Sequence, residues 1–448
     1  MMATGMLRSR PIGLLATLVA VVLPAILAGA ATAAKLMTTY DLPKSLNYAE
    51  EIVAAPDGAL WFTQDAVLGP RGQHVLGRIT PAGAVSSVAL PAGARTESPA
   101  VGLDGGLWFA DYGFSDAARL LRIGAGGERR EIVLAGDGPA TALAAAPDGA
   151  MWFSTFRRMG RLAVDGSVTS FRLTAESGNL TAGPDGAMWI GTAGEIVRLD
   201  AGGATRVFRL PIELSPDDLI SGSDGALWFS AELCDCIVRM TTTGQRRLFR
   251  LPQAPDTPGR LALAPDGAIW FTHSLGLGRL ATTGEFTLFD EPARRDHYSF
   301  AQDIAAGPDG AMWFTLEDSP LEPFDAKPDG SAIGRLDFSG ANAAKLLVAR
   351  LASGQLRGRA GATLKVRFAT TRRAGGALVV VRTKPGVLTW PDLARTPIRP
   401  GAHSATVRLP TRPGTYRVML RLQVASQAAS DSASVRVSRA RERPPGSR

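Results

Sequence analysis

The sequence predicts an all-β protein made of a seven-bladed β-propeller followed by a small immunoglobulin-like β-sandwich. The first observation is a motif written seven times, an Asp-Gly turn followed after two residues by Trp. The tryptophans are Trp61, Trp108, Trp152, Trp189, Trp228, Trp270 and Trp313. Second, successive tryptophans lie 37 to 47 residues apart, which suits a four-stranded blade and exceeds the roughly 20–34 residues of leucine-rich or helical repeats. Third, the repeat stops near residue 341, where the composition changes.

Each repeat is expected to form a β-hairpin. Pro presets φ for a turn, Asp accepts a backbone hydrogen bond two residues on, and Gly takes the positive φ that closes the hairpin. The segment after the turn, such as Leu60-Trp61-Phe62-Thr63, is aromatic and β-branched and is typical of a buried strand. We therefore expect the tryptophans to pack blade against blade rather than to bind a ligand.

Two further strands complete each repeat. One ends in Arg followed by an aliphatic residue, as in Gly77-Arg78-Ile79, and we interpret this Arg as a scaffold between blades rather than a ligand site. The outer strand, such as the segment from Val85 to Pro91, is missing after the seventh repeat but present at the start, from Met37 to Pro43. The N-terminal strand is therefore predicted to complete the last blade, which closes the ring and removes free sheet edges.

The ends of the chain have different compositions. Residues 1–33 hold Arg8 and Arg10, then an apolar run, then a small-x-small site at Ala31-Thr32-Ala33. This pattern predicts a cleaved signal peptide and a secreted or extracytoplasmic protein, with an uncleaved N-terminal membrane anchor as the alternative. The propeller is assigned to residues 35–340, the sandwich to 345–438 because of its short alternating runs, and a disordered tail to 439–448.

Charge separates the two predicted domains. Residues 341–448 contain 21 Lys/Arg and 3 Asp/Glu, a net of +18, whereas the propeller without Arg8 and Arg10 carries a net of −12. The basic domain could dock on the propeller, bind an anionic cell-envelope polymer, or maintain solubility. No aromatic platform accompanies the basic residues, so no nucleic-acid partner is expected, and the protein is expected to be a monomer.

The chain has two cysteines, Cys234 and Cys236. Outside the cytoplasm they could form a short-range disulfide, whose small loop would contribute little stability. Metal binding by two thiolates without a nearby His is the less favoured alternative.

Candidate site residues come from the geometry of a propeller, in which the starts of the inner strands and the ends of the Trp strands share one face. The ligand-binding candidates on that face are Glu50, Glu97, Tyr112, Asp217, Glu232 and Gln302. Their carboxylates could hold a hard divalent cation through oxygen ligands, or they could be solvated rim residues. A small-molecule, peptide or glycan ligand is expected there.

Loop lengths and histidine positions indicate which sector of this face is expected to hold the functional site. The loops after the first, second and seventh Trp strands are the longest, and in a closed ring these blades are neighbours, so we expect their loops to overhang one sector. His297, before the seventh repeat, and His273 are candidate acid–base residues because imidazole titrates near neutral pH. A merely exposed His is the alternative for both.

The repeat Gly-Pro-Asp-Gly-Ala-x-Trp-Phe-Thr followed by Gly-Arg-Ile/Leu resembles that of the virginiamycin B lyase (streptogramin B lyase) family of seven-bladed propellers, over about residues 35–340. The resemblance implies a magnesium-assisted β-elimination that linearises a cyclic depsipeptide at its ester. Glu317, four residues after Trp313, stands where the family has a metal-binding Glu. The family's catalytic His position falls on Gln302 or Asp303, so the resemblance leaves Asp303 with Glu317 as a possible Mg²⁺ pair.

Two functions follow from these patterns. The first is a ligand-binding module on the acidic face that carries the long loops. The alternative is a Mg²⁺-dependent carbon–oxygen lyase, or a related hydrolase, with Glu317 and Asp303 at the cation and His297 or His273 as the general base. The absence of a His at the family's catalytic position favours the binding module.

Overall fold

The structure is a computed structural model. It describes residues 36–64, 75–91, 94–111, 117–173, 176–251, 257–274, 276–290, 297–320, 330–338, 349–351, 355–360, 362–370, 374–382, 394–398, 400–409, 413–424 and 427–438. The predicted signal peptide and C-terminal tail, the middle of each of the three long loops (65–74, 112–116 and 321–329) and Tyr112 lie outside these ranges. Within them, no helix is long and apolar enough to cross a membrane.

The described residues from 36 to 338 form seven antiparallel sheets of four strands, which confirms the predicted propeller. Blades one and two are β2 (Ala49–Ala54), β3 (Leu60–Gln64), β4 (Val75–Ile79), β5 (Val85–Ala89), then β6 (Thr96–Val101), β7 (Leu107–Asp111), β8 (Ala117–Ile123), β9 (Arg129–Asp137). Blades three and four are β10 (Ala142–Ala145), β11 (Met151–Thr155), β12 (Arg158–Leu162), β13 (Val168–Arg172), then β14 (Ser177–Ala182), β15 (Met188–Thr192), β16 (Glu195–Leu199), β17 (Thr205–Arg209).

The remaining blades repeat this order. Blades five and six are β18 (Asp218–Ser221), β19 (Leu227–Ala231), β20 (Cys236–Met240), β21 (Arg246–Arg250), then β22 (Pro258–Leu263), β23 (Ile269–His273), β24 (Gly276–Leu280), β25 (Phe286–Asp290). Blade seven is β26 (His297–Ala306), β27 (Met312–Pro320) and β28 (Gly330–Leu336), with β1 (Met37–Asp41) as its outer strand. Short 3-10 turns cover Lys44–Leu46, Ile212–Leu214 and Glu232–Cys234.

The ring closes through the first and last strands of the propeller, as predicted. β1 runs antiparallel to β28 with Thr38 opposite Arg335 and Asp41 opposite Ala332. The Tyr40 ring stacks on Trp313, with ring centroids 5.7 Å apart. In blades three to six the same position on the Trp is taken by a Phe of the outer strand of the same blade. Residues from both ends of the propeller therefore build one blade.

Each indole of the repeat lies in the core between its own blade and the next one, as expected. The clusters join Trp61 to Phe109, Trp108 to Phe153, Trp152 to Ile190, Trp189 to Phe229, Trp228 to Phe271, Trp270 to Phe314 and Trp313 to Phe62. The last pair crosses from blade seven to blade one. The apolar core is therefore a ring of seven similar interfaces.

The Gly of the Gly-Arg motif has a packing role. A Cβ added at Gly77 would lie 2.0 Å from the Phe62 ring, and one at Gly160 would lie 1.9 Å from the Phe153 ring. Each of these Phe residues directly follows the Trp of its repeat on the adjacent strand. The ring therefore needs a residue without a side chain beneath it.

The Arg of the third strand pairs within its own blade, so the expectation of a scaffold between blades was wrong. Arg335 Nε donates to Asp309 Oδ2 over 2.7 Å, and Trp313 Nε1 donates to Oδ1 of the same Asp over 2.9 Å. Arg335 lies opposite Trp313 in the strand register, which places both beside the turn. The corresponding ion pairs are Arg78–Asp57, Arg122–Asp104, Arg161–Asp148, Arg198–Asp185, Arg239–Asp224 and Arg279–Asp266.

We call this Asp, Arg and Trp set the turn node. Burial acts to raise the pKa of Asp309, but hydrogen bonds from Trp313, Arg335 and the Ala311 N–H lower it below its usual value. The carboxylate therefore stays charged and ties three strands of one blade together at the Asp-Gly turn.

The C-terminal region is also built of strands. They are β29 (Ala349–Leu351), β30 (Gln355–Arg359), β31 (Thr363–Thr370), β32 (Ala374–Arg382), β33 (Ala394–Ile398), β34 (Gly401–Arg408), β35 (Gly414–Val424) and β36 (Gln427–Ser438). β29, β31 and β34 form one sheet, while β36, β35, β32 and β33 extend the outer edge of blade six through the pairing of β25 with β36. The immunoglobulin-like topology stays a prediction.

Cys234 and Cys236 form a disulfide, the first of the two alternatives that the sequence left open. It lies at the end of the 3-10 turn Glu232–Cys234, and Arg250 donates to the Cys234 carbonyl over 2.7 Å. Asp235 between the cysteines has a positive φ of 50°. The disulfide therefore closes the connection between β19 and β20.

Ring closure predicts a specific sensitivity of β1. Tyr40→Ala should lower the free energy of unfolding by about 2–3 kcal/mol, because it removes an aromatic ring stacked on Trp313. Thr38→Ala, at an exposed site of the same strand, is the control and should cost less than about 0.5 kcal/mol. Urea unfolding followed by tryptophan fluorescence measures both, and equal midpoints for the two variants would contradict the closure.

Candidate functional site

The inner strands carry a β-bulge near their start in five blades. The register shifts lie between Ala49 and Ile52, Glu97 and Ala100, Ser177 and Leu180, Pro258 and Leu261, and Ala301 and Ile304. A bulge bends a strand and re-aims the side chains beside it. In these blades the bulge contains the residue ten positions before the Trp, for example Glu51, Ser98, Arg260 and Asp303.

Side chains at these bulged positions hold neighbouring blades together. Asp303 Oδ2 accepts a hydrogen bond from the Ile52 N–H over 2.8 Å, which links blade seven to blade one. Glu51 accepts from the Ser98 N–H, and Ser98 Oγ accepts from the Leu143 N–H over 2.9 Å. The carboxylates are therefore part of the scaffold around the central channel.

The same pattern continues in blades four to six. Asn179 Nδ2 donates to Asp218 Oδ1 over 3.0 Å, and Asp218 Oδ2 accepts from the Leu261 N–H over 2.7 Å. We refer to these contacts, together with those of Asp303, Glu51 and Ser98, as the channel latches.

Arg260 lies among the latches. Its Nη2 donates to Glu51 Oε1 over 3.2 Å, a contact between blade six and blade one, which are not neighbours in the ring. Asp218 and Asp303 also interact electrostatically with this guanidinium. Three bulge-position carboxylates thus surround one arginine, and Glu50 also interacts with it electrostatically. We call the four residues Glu51, Asp218, Arg260 and Asp303 the channel cluster.

Burial controls the protonation of this cluster. It raises the pKa of Asp303 to about 7, although the guanidinium of Arg260 opposes the shift. Burial also raises the pKa of Glu51 and of Asp218, again against Arg260. Burial acts to lower the pKa of Arg260, but Asp218 and Glu51 outweigh this effect and raise it. Arg260 is therefore a permanent cation, while Asp303 titrates near neutral pH.

A pocket of about 440 Å³ opens beside Arg260, between blades five, six and seven. Its lining comprises Asp217, Asp218, Thr257, Gly259, Arg260, Thr272, His273, Ser274, Phe300, Ala301 and Gln302. The side chain of Arg260 is 35% exposed and Phe300 is 41% exposed, so a cation and an apolar ring are both accessible. His273 is 4% exposed and its ring lies 6.0 Å from that of Phe271.

The structure brings several predicted site residues to this pocket. Asp217, His273 and Gln302 line it, and the Glu232 N–H donates to Asp217 Oδ2 over 2.6 Å. Gln302 Nε2 donates to Glu317 Oε2 over 2.6 Å, which places Glu317 next to the lining. Burial also raises the pKa of Asp217.

Glu50 lies beside the channel cluster, because its carboxylate interacts electrostatically with Arg260. Its carbonyl accepts from Thr315 Oγ1 over 2.6 Å at the contact of blades one and seven. The remaining predicted residues lie elsewhere. Glu97 lies opposite Ala110 in blade two, away from the pocket. His297 opens β26 opposite Pro320 at the far end of a long hairpin, and its side chain lies outside the described part. Tyr112 also lies outside it.

The family resemblance implies a divalent cation, which would need oxygen ligands from the acidic side chains near the pocket. Within the described ranges, no group of three or more His, Cys, Asp or Glu side chains could hold a metal ion. Glu317 accepts from the Gln302 amide, while Asp303 accepts a backbone N–H and lies beside Arg260. Hard cations need several converging oxygen ligands, so the described residues do not fit Mg²⁺.

Reasoning from the sequence missed the central role of Arg260 and of its partners Glu51 and Asp218. These residues stand ten positions before Trp270, Trp61 and Trp228, so the repeat locates them. The repeat does not reveal the bulge that decides which of two adjacent side chains faces the channel.

Comparisons with known proteins agree with this architecture. The model of the virginiamycin B lyase family matches residues 28–190 and 174–348. A virginiamycin B lyase of Nocardia farcinica (strain IFM 10152) is 31% identical over 163 residues, 35% of this chain and 57% of that protein. The chain thus spans little more than half the length of this curated relative.

Solved structures show the same fold at low identity. A streptogramin B lyase is 22% identical with a TM-score of 0.57, over 67% of this chain and 97% of that chain. A catalytically inactive virginiamycin B lyase from Staphylococcus aureus, crystallised with quinupristin, is 22% identical with a TM-score of 0.56, over 67% and 99%.

The raised pKa of Asp303 predicts a pH dependence of stability. Because the folded-state pKa of about 7 lies above the usual value of 3.8, the folded state binds more protons between these values, and stability falls as pH rises through this window. Asp303→Asn removes this titration, so its urea midpoint should fall less than that of the wild type between about pH 5 and about pH 8.

The control is Asp309→Asn at a turn node. The pKa of Asp309 is lowered, so its contribution is present above the usual pKa and is lost only as pH falls below it. The urea midpoint of Asp309→Asn should change with pH as that of the wild type does. If the urea midpoint of Asp303→Asn also changes with pH as that of the wild type does, the raised pKa of Asp303 is contradicted.

Proposed function

Since the chain belongs to the virginiamycin B lyase family, we propose that its propeller is a binding module for a small peptide-like ligand of the cyclic depsipeptide class. The ligand would occupy the pocket between blades five, six and seven. The observation that supports this proposal is the pocket lining, which places Arg260, Gln302 and Asp217 around the exposed ring of Phe300. Export through cleavage of the predicted signal peptide is part of the same proposal.

The chemistry of the lining suits a ligand with many carbonyl groups. Ligand pockets typically combine apolar surface with a few polar groups that fix orientation. Arg260 can only donate hydrogen bonds, and Gln302 can donate or accept. Phe300 offers apolar contact area, which contributes most of the affinity of a small pocket. A depsipeptide supplies ester and amide carbonyls together with apolar side chains.

The net charge of the lining disfavours an anionic ligand. Asp217 and Asp218 lie in the pocket, and Glu51 and Asp303 share the guanidinium of Arg260. Together these four carboxyl groups outnumber the one cation. A neutral or positively charged ligand is therefore proposed rather than a carboxylate or phosphate.

Binding of quinupristin is the first test, because a structural relative was solved with this compound. Isothermal titration of the full chain should give a one-to-one complex, and Phe300→Ala should weaken it about tenfold, the equivalent of about 1.4 kcal/mol. The ring of Phe156, 58% exposed in the turn between β11 and β12, provides the control variant Phe156→Ala, with unchanged affinity. Equal weakening by both variants would place the ligand elsewhere.

Opening of the cyclic depsipeptide is the second candidate, and His273 in the pocket lining favours it. The imidazole would act as the general base that removes a proton from the ligand. Mass spectrometry of quinupristin incubated with the protein, with and without Mg²⁺, should then detect a linear product. His273→Gln should slow formation of the linear product at least about 100-fold. In Glu317→Gln, the difference in product formation with and without Mg²⁺ should disappear if Glu317 holds the implied cation.

His403→Gln, in β34 of the C-terminal region, is the control for the His substitution. It should leave the rate unchanged. The lack of a linear product at every Mg²⁺ concentration would remove the enzymatic candidate and leave the binding module.

A further inference from the structure

The positive charge in the channel cluster belongs to a side chain, the guanidinium of Arg260, whereas a metal site holds a separate ion. Arg260 reaches across the ring from blade six to Glu51 of blade one, 209 residues away in sequence. Asp218 of blade five and Asp303 of blade seven complete the surroundings of the guanidinium. One positive charge, on β22, thus lies among carboxylates from three other strands, β2, β18 and β26.

The oxygens of these carboxylates already have partners. Asp303 Oδ2 accepts from Ile52, Asp218 Oδ2 from Leu261 and Glu51 Oε2 from Ser98. A cation ligand needs oxygen lone pairs directed at the ion, and here one oxygen of each carboxylate is directed at a backbone N–H of the next blade. The latches therefore compete with metal coordination.

The guanidinium also repels a second cation. Like charges a few ångströms apart are strongly unfavourable when water is partly excluded, and Arg260 cannot relieve the repulsion by losing its proton. The guanidinium of Arg260 thus supplies the positive charge that a metal ion would otherwise supply, and this charge stabilises the three neighbouring carboxyl groups.

We propose that Arg260 replaces a divalent cation in the channel, so that this protein folds and presents its pocket without a metal ion. Removing the guanidinium should free Glu51, Asp218 and Asp303 to converge on a cation, an arrangement that they do not have in the described structure. The inference concerns the channel cluster alone and does not depend on the identity of the pocket ligand.

Manganese is the probe, because it prefers oxygen ligands and is paramagnetic. The full chain is titrated with Mn²⁺ and followed by electron paramagnetic resonance and calorimetry, and its unfolding temperature is measured in EDTA and in Mg²⁺. The wild type should show no site tighter than about 1 mM, and the same unfolding temperature in both solutions.

Arg260→Met should unfold at a lower temperature in EDTA, recover part of the loss in Mn²⁺ or Ca²⁺, and bind one ion with a Kd of about 0.1–1 mM. Arg260→Lys keeps the charge and should behave as the wild type does toward metals. Arg206→Met, at an exposed Arg of the outer strand of blade four, is the control for loss of one surface charge and should bind no ion.

Stoichiometric Mn²⁺ binding by the wild type that is lost in Asp303→Asn or Glu317→Gln would overturn the proposal, and so would an Arg260→Met protein with unchanged stability and no metal response. If Arg260→Met does not fold, the titrations of the wild type and of Arg260→Lys decide the question by themselves.

Discussion

The pairing of β1 with β28 is the constraint on which the rest of the structure depends. Each blade buries its apolar faces only against its two neighbours, so an open row of blades would leave two faces and the edge of β28 exposed. Because β1 is the outer strand of blade seven, the ring of Tyr40 stacks on Trp313. The interface between blades seven and one is therefore packed like the other six. The central channel, and every contact across it, exists only because the ring is closed.

Polar contacts at the two ends of the blades have different functions. The turn nodes join residues close in sequence, such as Asp309 and Arg335, which are 26 positions apart, and their Asp–Arg ion pair recurs in every blade. The channel latches join residues far apart, such as Ile52 and Asp303, which are separated by 251 positions, and their side chains vary from blade to blade. One end therefore stabilises single blades, whereas the other sets the arrangement of blades around the channel.

The candidate site arises from the variation of side chains among the channel latches. Similar bulges present Glu51, Ser98, Arg260 and Asp303 toward the same region, so a change of residue type there alters the chemistry without altering the fold. The channel thus holds one permanent cation among carboxylates beside the pocket.

The sequence by itself determined the number of blades, the strand order and the closing strand. These features rest on local physics: the positive φ of Gly in the Asp-Gly turn, the strand preference of the aromatic run, and an outer strand found only at the N-terminal end. It also located Asp217, His273 and Gln302 on a common face, because Asp217 and Gln302 each stand eleven residues before a Trp and His273 stands three residues after one.

Tertiary structure alone decided how the polar residues pair. The repeat marks Arg279 and Arg335 as equivalent, but only the strand register shows that each reaches the Asp of its own turn. Arg260 meets Glu51 because two blades that are not neighbours face each other across a channel, and a local pattern contains no information about that distance. Packing of seven sheets, rather than any single segment, brings those charges together.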